Sequence, residues 1–358
     1  MKKKKGDSSG EKTSPTSKCP DNSAFKQQRI PAWMPTLAAS SVLSTFYIIG
    51  AFCLAVGISI IVATSNVKEI WITYSDSCTT CTKLRENSSF SETSCSCAVN
   101  FNVPETIQGD VFMYYGLSNF FQNHRRYVIS RYDMQLLGRN VTTKDNVVQQ
   151  SYCSPFTVYP NGTPMAPCGA IANSMFNDTI TLTYHPNLTT KIPVPLLRTG
   201  NTWWSDKNVK FQNPKPKEDL IQAFAGSARP PYWQKTVYSL DTLDSHNNGY
   251  QNDDFINWMR VAALPNFRKL YRRLSRIQEF TKGLPAGNYS CNIVYNFPVS
   301  KFHGKKHFIL STLSWCGGSN KFLGIAYTVT GALIILTAFV MLAVHLKKKE
   351  QKKSYSKK

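Results

Sequence analysis

Two long apolar runs, Ser40 to Ala63 and Phe322 to Leu346, lie near opposite ends of this 358-residue chain, and neither contains Asp, Glu, Lys or Arg. At a rise of about 1.5 Å per residue, each is long enough to cross a hydrocarbon core about 30 Å thick. The pattern predicts five segments: a basic tail with a juxtamembrane stretch over 1–38, a membrane helix over 39–64, a long middle segment over 65–321, a second membrane helix over 322–346, and a basic tail over 347–358.

Flanking charge sets the expected orientation. Eight basic residues precede Pro35 and seven follow the second run, whereas only Lys68 and Lys321 stand close to the opposite ends of the runs. Basic residues beside a span stay on the cytoplasmic side, so both termini are expected in the cytosol and the middle in the lumen or outside. The first run begins near residue 40 and is too long for a signal-peptide core, so it reads as an uncleaved anchor. A net charge of +21 raises the question of a nucleic-acid partner. The first 35 residues carry eight basic against three acidic groups, and the last tail carries seven against one, so about half the excess adjoins the membrane. Each basic group gains about 1 kcal/mol there from anionic lipid, and no nucleic acid is needed to explain the balance.

Ten cysteines divide as Cys19 in the first tail, Cys53 in the first run and eight in the middle. An even count in an oxidising compartment reads as disulfides, and this holds for the clustered Cys78, Cys81, Cys95 and Cys97 despite their zinc-like spacing. Six N-x-S/T sequons, at Asn87, Asn140, Asn161, Asn177, Asn187 and Asn288, lie in the same segment and predict N-glycosylation there. Eight cysteines allow about 105 pairings. A Cys153–Cys168 bridge would close a loop rich in Pro and Gly, worth about 3 kcal/mol by chain entropy, which leaves Cys291 and Cys316 either as a final pair or unpaired, with Cys316 free just before the second run.

Alternating apolar and polar residues predict strands over Phe176 to Tyr184, Tyr289 to Phe297 and His307 to Trp315. Spacings of three and four predict an amphipathic helix over Phe255 to Leu274, broken or kinked at Pro265. The middle segment therefore reads as a mainly-β sandwich with helical insertions.

Several long strings, in order, resemble the cell cycle control protein 50 family, also called the Lem3 family. They are PAWMP at 31–35, YGLSNFFQNHRRYVISR at 115–131, PCGAIANSMFND at 167–178, FINWMRVAALPNFRKLY at 255–271, NYSCNIVYNFPV at 288–299 and LSTLSWCGGSNKFLGIAY at 310–327. The resemblance implies a two-span membrane protein with an antiparallel β-sandwich ectodomain. It implies a role as accessory β-subunit of a type IV P-type ATPase, a phospholipid flippase whose catalytic aspartate sits on the other chain. It further implies nested bridges Cys78–Cys97 and Cys81–Cys95, followed by Cys153–Cys168. The cysteines at 291 and 316 depart from the family pattern.

Partner contacts are expected at three levels. Gly50, Cys53 and Gly57 form a small-residue stripe in the first run, and Gly324, Thr328 and Gly331 form one in the second. Such stripes let helices approach closely, either between the two spans or against an ATPase helix. Trp33, between Pro31 and Pro35, reads as an interfacial anchor or a juxtamembrane contact. Arg125 and Arg126, in the run from Phe120 to Tyr127, read as a forked contact to carboxylates or as part of internal glue. Trp203, Trp204, Trp233 and Trp258, in stretches rich in cations and Pro, suggest cation-stacked rings or a carbohydrate or headgroup site.

No DKTGT motif, P-loop, G-x-S-x-G elbow or H-E-x-x-H helix occurs, so no catalytic residue, cofactor or metal is expected. His303 and His307 adjoin a strand-like run, where their side chains would not face one ion. The spans offer no ionisable transport path beyond His345 at the end of the second. A two-span trimeric ligand-gated channel shares this topology, but the second run lacks a charge ring or filter-like break. A glycan-binding or adhesion receptor rests on the aromatics alone.

Overall fold

The computed structural model describes residues 22–32, 38–86, 93–139, 152–187 and 189–356. Cys19, Trp33, Asn87 and Asn140 lie outside the described residues. The chain divides into two compact units, residues 1–54 with 329–358 and residues 55–328. Four helices are used below: α1 (Ala39–Ser65), α2 (Thr79–Glu86), α3 (Asp253–Met259) and α4 (Phe322–Tyr355). Both α1 and α4 are long and apolar enough to cross a membrane, and α4 continues past Leu346 into the Lys-rich tail. In the first unit these helices meet through an edge-on contact of the Tyr47 and Phe339 rings, 5.4 Å between centroids, and at Gly50 and Gly331.

Among its described residues the second unit holds eleven strands, β1 (Glu69–Thr73), β2 (Ser96–Val103), β3 (Ile107–Gln108), β4 (Phe112–Leu117), β5 (Thr179–His185), β6 (Ile192–Pro193), β7 (Leu196–Leu197), β8 (Phe267–Leu274), β9 (Gly283–Leu284), β10 (Gly287–Val294) and β11 (Lys306–Ser311). They form a five-stranded sheet in the order β1-β11-β4-β8-β7, a four-stranded sheet β2-β10-β5-β6, and a small β3-β9 ribbon. Every pairing is antiparallel. Period-two alternation explains which face packs inward. In β10, Tyr289, Cys291 and Ile293 are buried while Asn288 and Asn292 are exposed. These side chains share one core with Met113, Tyr115 and Leu117 of β4 and with Phe308 and Leu310 of β11, so the two sheets form a sandwich.

The segment between β7 and β8 supplies the helical insertion. It adds Trp233, Tyr250, Phe255, Ile256, Trp258 and Met259 to the same core. The expected helix over Phe255 to Leu274 is corrected here: α3 ends at Met259, and Phe267–Leu274 is strand β8. Pro265 has no N–H with which to continue a helix, and its carbonyl accepts the Phe120 N–H at 3.0 Å. Beyond it, β8 finds ladder partners in β4 and β7, and that long-range pairing overrides the local helical spacing. At its start α3 is capped by Asn252, whose side chain accepts the Phe255 N–H at 3.0 Å. At its end the Lys269 ammonium, reaching across from β8, donates to the carbonyls of Asn257, Trp258 and Arg260.

Among the described residues, three disulfides are present: Cys78–Cys97, Cys81–Cys95 and Cys153–Cys168. The first two staple α2 to the start of β2. Arg85 of α2 is buried behind them and donates to the Tyr295 carbonyl at 2.9 Å and the Thr93 carbonyl at 2.6 Å. A Cys291–Cys316 bridge does not form, and the alternative of a free Cys316 holds. Cys291 points into the sandwich from the middle of β10, whereas Cys316 lies exposed in the turn closed by Ser314 and Gly317.

Candidate partner-contact surfaces

The two glycine stripes face each other. A Cβ on Gly57 would stand 2.7 Å from the Thr328 nitrogen and 3.0 Å from the Gly324 oxygen, and one on Gly324 would stand 3.1 Å from both the Gly57 oxygen and the Ile61 nitrogen. In the other unit, a Cβ on Gly331 would stand 2.9 Å from the Gly50 oxygen and from the Leu54 nitrogen. Only residues without a side chain allow backbones this close. Gly50, Gly57, Gly324, Thr328 and Gly331, read above either as a seam between the two spans or as contacts to a partner helix, lie in the seam that joins α1 to α4. What remains free for a partner is the large-residue surface, including Ile48, Phe52 and Ile58 of α1 and Leu333, Leu336 and Val340 of α4, all more than half exposed.

The run from Phe120 to Tyr127 divides by facing. Phe120 enters an aromatic cluster with Tyr127, Trp258, Phe267, Phe297 and Phe302, at centroid distances of 5.3 to 6.3 Å. Gln122 is fully buried and its side-chain oxygen accepts the Ala262 N–H at 2.8 Å. The Tyr127 hydroxyl lies 2.8 Å from the Ser174 hydroxyl, and burial pushes its pKa up to about 12. These residues are the glue between sheet and insertion. Arg125 and Arg126 point outward from the single helical turn Arg125–Val128, and neither makes an ion pair among the described residues. Phe121, Val128 and Ile129 are exposed beside them, so the turn presents a rim of cations and apolar side chains. A surface of this kind suits an acidic protein loop that carries an apolar residue.

The four tryptophans separate in pairs. Trp233 and Trp258 are core residues whose indole N–H groups donate at 2.7 Å to the carbonyls of Ala172 and Ile171. The surface-site reading is therefore corrected for this pair, whereas the cation-stacked reading holds for Trp258, whose ring centre lies 5.0 Å from the Lys269 Nζ. Trp203 and Trp204 are exposed, and the Arg260 guanidinium lies 5.6 Å from the Trp203 ring centre. Arg260 also pairs with the buried Asp206 at 3.1 Å, which Lys210 approaches at 2.8 Å. An adjoining cleft of about 350 Å³ is lined by Arg131, Phe211, Met259 and Val261, among others.

Asn161 and Asn187 stand exposed in loops, and Asn288 stands on the outward face of β10. Asn177 is half-buried, with its side-chain nitrogen donating to Gln234 at 2.7 Å. His303 ends a short helical turn in the left-handed region, while His307 in β11 shares a 2.8 Å hydrogen bond with Thr73, so the two histidines are separately engaged.

One buried charge site escaped the sequence reading. Asp178 and Lys306 are both fully buried and meet at 2.5 Å. One Asp178 oxygen accepts the N–H groups of Asn296 and Phe297, each at 2.6 Å, and the other also accepts the Tyr74 hydroxyl at 2.7 Å. Lys306 further donates to the Phe297 carbonyl at 2.7 Å and stands 3.0 Å from the Tyr295 ring centre. Burial, then the Asp178 charge, raises the Tyr74 pKa well above its ordinary value. The group links β1 and β11 of one sheet to the entry of β5 in the other, and nothing in it is open to a reactant. Lys306 looks like a surface residue in sequence because it follows Lys305. Only its register as the first, inward position of β11 puts it inside.

Comparison with known proteins is consistent along most of the chain. The sequence model described as the LEM3 (ligand-effect modulator 3) family / CDC50 family matches residues 60–351. Cell cycle control protein 50C of Bos taurus is 53% identical over 336 residues, covering 94% of this chain and 96% of that protein. Cell cycle control protein 50A of Mus musculus is 50% identical over 335 residues, covering 92% and 89%. Cell cycle control protein 50B of Homo sapiens is 45% identical over 340 residues, covering 93% and 95%.

Proposed function

This chain belongs to the LEM3/CDC50 family, and from that premise we propose that it is the non-catalytic accessory subunit of a phospholipid-translocating type IV P-type ATPase. It would assist the folding of that ATPase, its exit from the endoplasmic reticulum, and its movement of aminophospholipid from the exoplasmic to the cytosolic leaflet. The observation that carries the reading is likeness across nearly the full length, from the spans through the ectodomain, to proteins of that family. In this arrangement both basic tails are cytosolic, and the sandwich is lumenal or extracellular and carries glycans on its sequons. The complex would travel through the Golgi and secretory vesicles to the plasma membrane.

The mechanism we infer is differential binding. A subunit that contacts one partner conformation better than another raises its population by that difference, and needs no catalytic group of its own. The glycine seam leaves the outer faces of α1 and α4 to meet ATPase helices, Trp33 would meet the ATPase beside the cytosolic membrane surface, and the Arg125 and Arg126 rim would meet a lumenal loop. Co-expression with candidate ATPases, followed by gentle solubilisation, tests the proposal. Wild-type chain should recover the ATPase, and Arg125→Glu with Arg126→Glu should recover it several-fold less while melting at the same temperature. Failure to recover any type IV ATPase from cells that express one would refute the function. Unchanged recovery with the double variant would refute only the assigned surface.

A further inference from the structure

The two connections between the sandwich and the long helices differ in length. On the β1 side, three residues lead from Ser65, the end of α1, to Glu69. On the β11 side, ten residues separate Ser311 from Phe322, the start of α4. The two sides are level at Thr312, whose N–H donates to the Lys68 carbonyl and whose hydroxyl accepts the Lys68 N–H, both at 3.0 Å. The surplus chain therefore lies between the lowest rung of the sheet and the ends of the helices. It is tightly held. Ser314 and Gly317 exchange backbone hydrogen bonds at 2.8 and 3.0 Å, and the Ser314 hydroxyl donates to the Gly317 carbonyl at 3.0 Å. Ser319 donates at 3.4 Å to Glu69, which is itself paired with Arg268 at 2.8 Å.

What this pinned turn displays is apolar. Leu313 is 45% exposed and Trp315 is 79% exposed, with the exposed Cys316 beside them. The nine residues Thr312 to Asn320 contain no charged side chain. Past the exposed Lys321, Phe322 and Leu323, at 74% and 53% exposed, open the second apolar helix. An uncharged, tryptophan-tipped turn of fixed shape, joined through the single cation Lys321 to the head of a membrane helix, fits the headgroup layer of a bilayer. Tryptophan favours that layer because its ring is apolar and its N–H still finds a polar partner. We propose that the Leu313–Cys316 turn is a membrane foot, with Leu313 and Trp315 seated among the headgroups and upper acyl chains of the leaflet on the ectodomain side. This inference rests on α1 and α4 crossing the bilayer. It assigns the chain a lipid contact of its own, separate from any contact with an ATPase.

The native thiol of Cys316 makes the test direct. A full-length chain carrying Cys19→Ser and Cys53→Ala retains Cys316 as its exposed free thiol, because Cys291 is buried. The variant is labelled with an environment-sensitive fluorophore and placed in phosphatidylcholine nanodiscs. A second sample carries Cys316→Ser and Leu333→Cys, with the label on the outer face of α4. The foot requires that lipid with a spin label high on its acyl chain quench the Cys316 probe by about half, and that aqueous iodide quench it little. Quenching by iodide alone, with the Leu333→Cys probe still quenched by lipid, overturns the foot and leaves the spans intact. A Leu333→Cys probe open to iodide overturns the spans and the foot together.

Discussion

The Asp178–Lys306 pair should be worth far more to the fold when one member is removed than when both are replaced. Both side chains are fully buried. Asp178→Asn alone leaves an ammonium in the core with only the Phe297 carbonyl and the ring faces of Tyr295 and Tyr74 around it. Lys306→Met alone leaves a carboxylate held by Tyr74 and two backbone N–H groups. Stranding either charge should cost about 3–5 kcal/mol. In the double variant the asparagine oxygen still accepts from Asn296 and Phe297, its amide can donate to the Tyr74 hydroxyl, and no charge is buried. Its cost should fall well below the sum of the singles, with a coupling of about 2–3 kcal/mol. The Asn177 sequon survives Asp178→Asn, so glycosylation does not confound the comparison. The assay is denaturant unfolding of the purified chain, read by tryptophan fluorescence, on wild type, both singles and the double. Additive costs would refute the reasoning, because additivity would mean that the two charges are solvated independently.

Three further outcomes follow from the same geometry. Gly57→Ala should destabilise the helix pair by about 1–3 kcal/mol because its new Cβ meets the Thr328 nitrogen and the Gly324 oxygen, which cannot move aside. Gly50→Ala should cost less, since its nearest neighbour is the Ile335 side chain at 2.6 Å; thermal melting in detergent ranks the two, and the reverse order would contradict the seam. Among the cysteines of the middle segment, native protein should release one maleimide-reactive thiol, Cys316, with Cys291 reacting only after unfolding because burial raises its pKa and shields it. Mass spectrometry of labelled peptides counts them. Burial, then the nearby Arg260 charge, pushes Lys269 down to about 7. An unfolded lysine titrates near 10.4, so between about pH 7 and that value the unfolded chain holds a proton the folded chain has lost, and stability rises with pH by up to about 1.4 kcal/mol per unit. Lys306, lowered to about 8, acts in the same direction. Urea midpoints at about pH 7 and 9 should show this rise, and Lys269→Met should reduce it to the share carried by Lys306; an equal slope in the variant would refute the assignment.

Local order in the sequence was enough for the two apolar helices, for the β character of the middle segment and for its helical insertion, because each depends on periodicity or length within one segment. Trp203 and Trp204 look the same in sequence as Trp233 and Trp258, yet one pair is exposed and the other is core. The helical spacing of Phe267, Leu270 and Leu274 likewise gave way to β8, since ladder partners contributed by β4 and β7 outweigh a local preference. Tertiary structure alone decided that the glycine stripes of α1 and α4 close on each other, that Cys291 and Cys316 stay apart, and that Lys306 is buried on Asp178. Each of these depends on which distant segment arrives at a given side chain. A linear chain specifies the chemistry a residue carries, but its neighbours, and with them the dielectric and free space around it, exist only once the sheets have met.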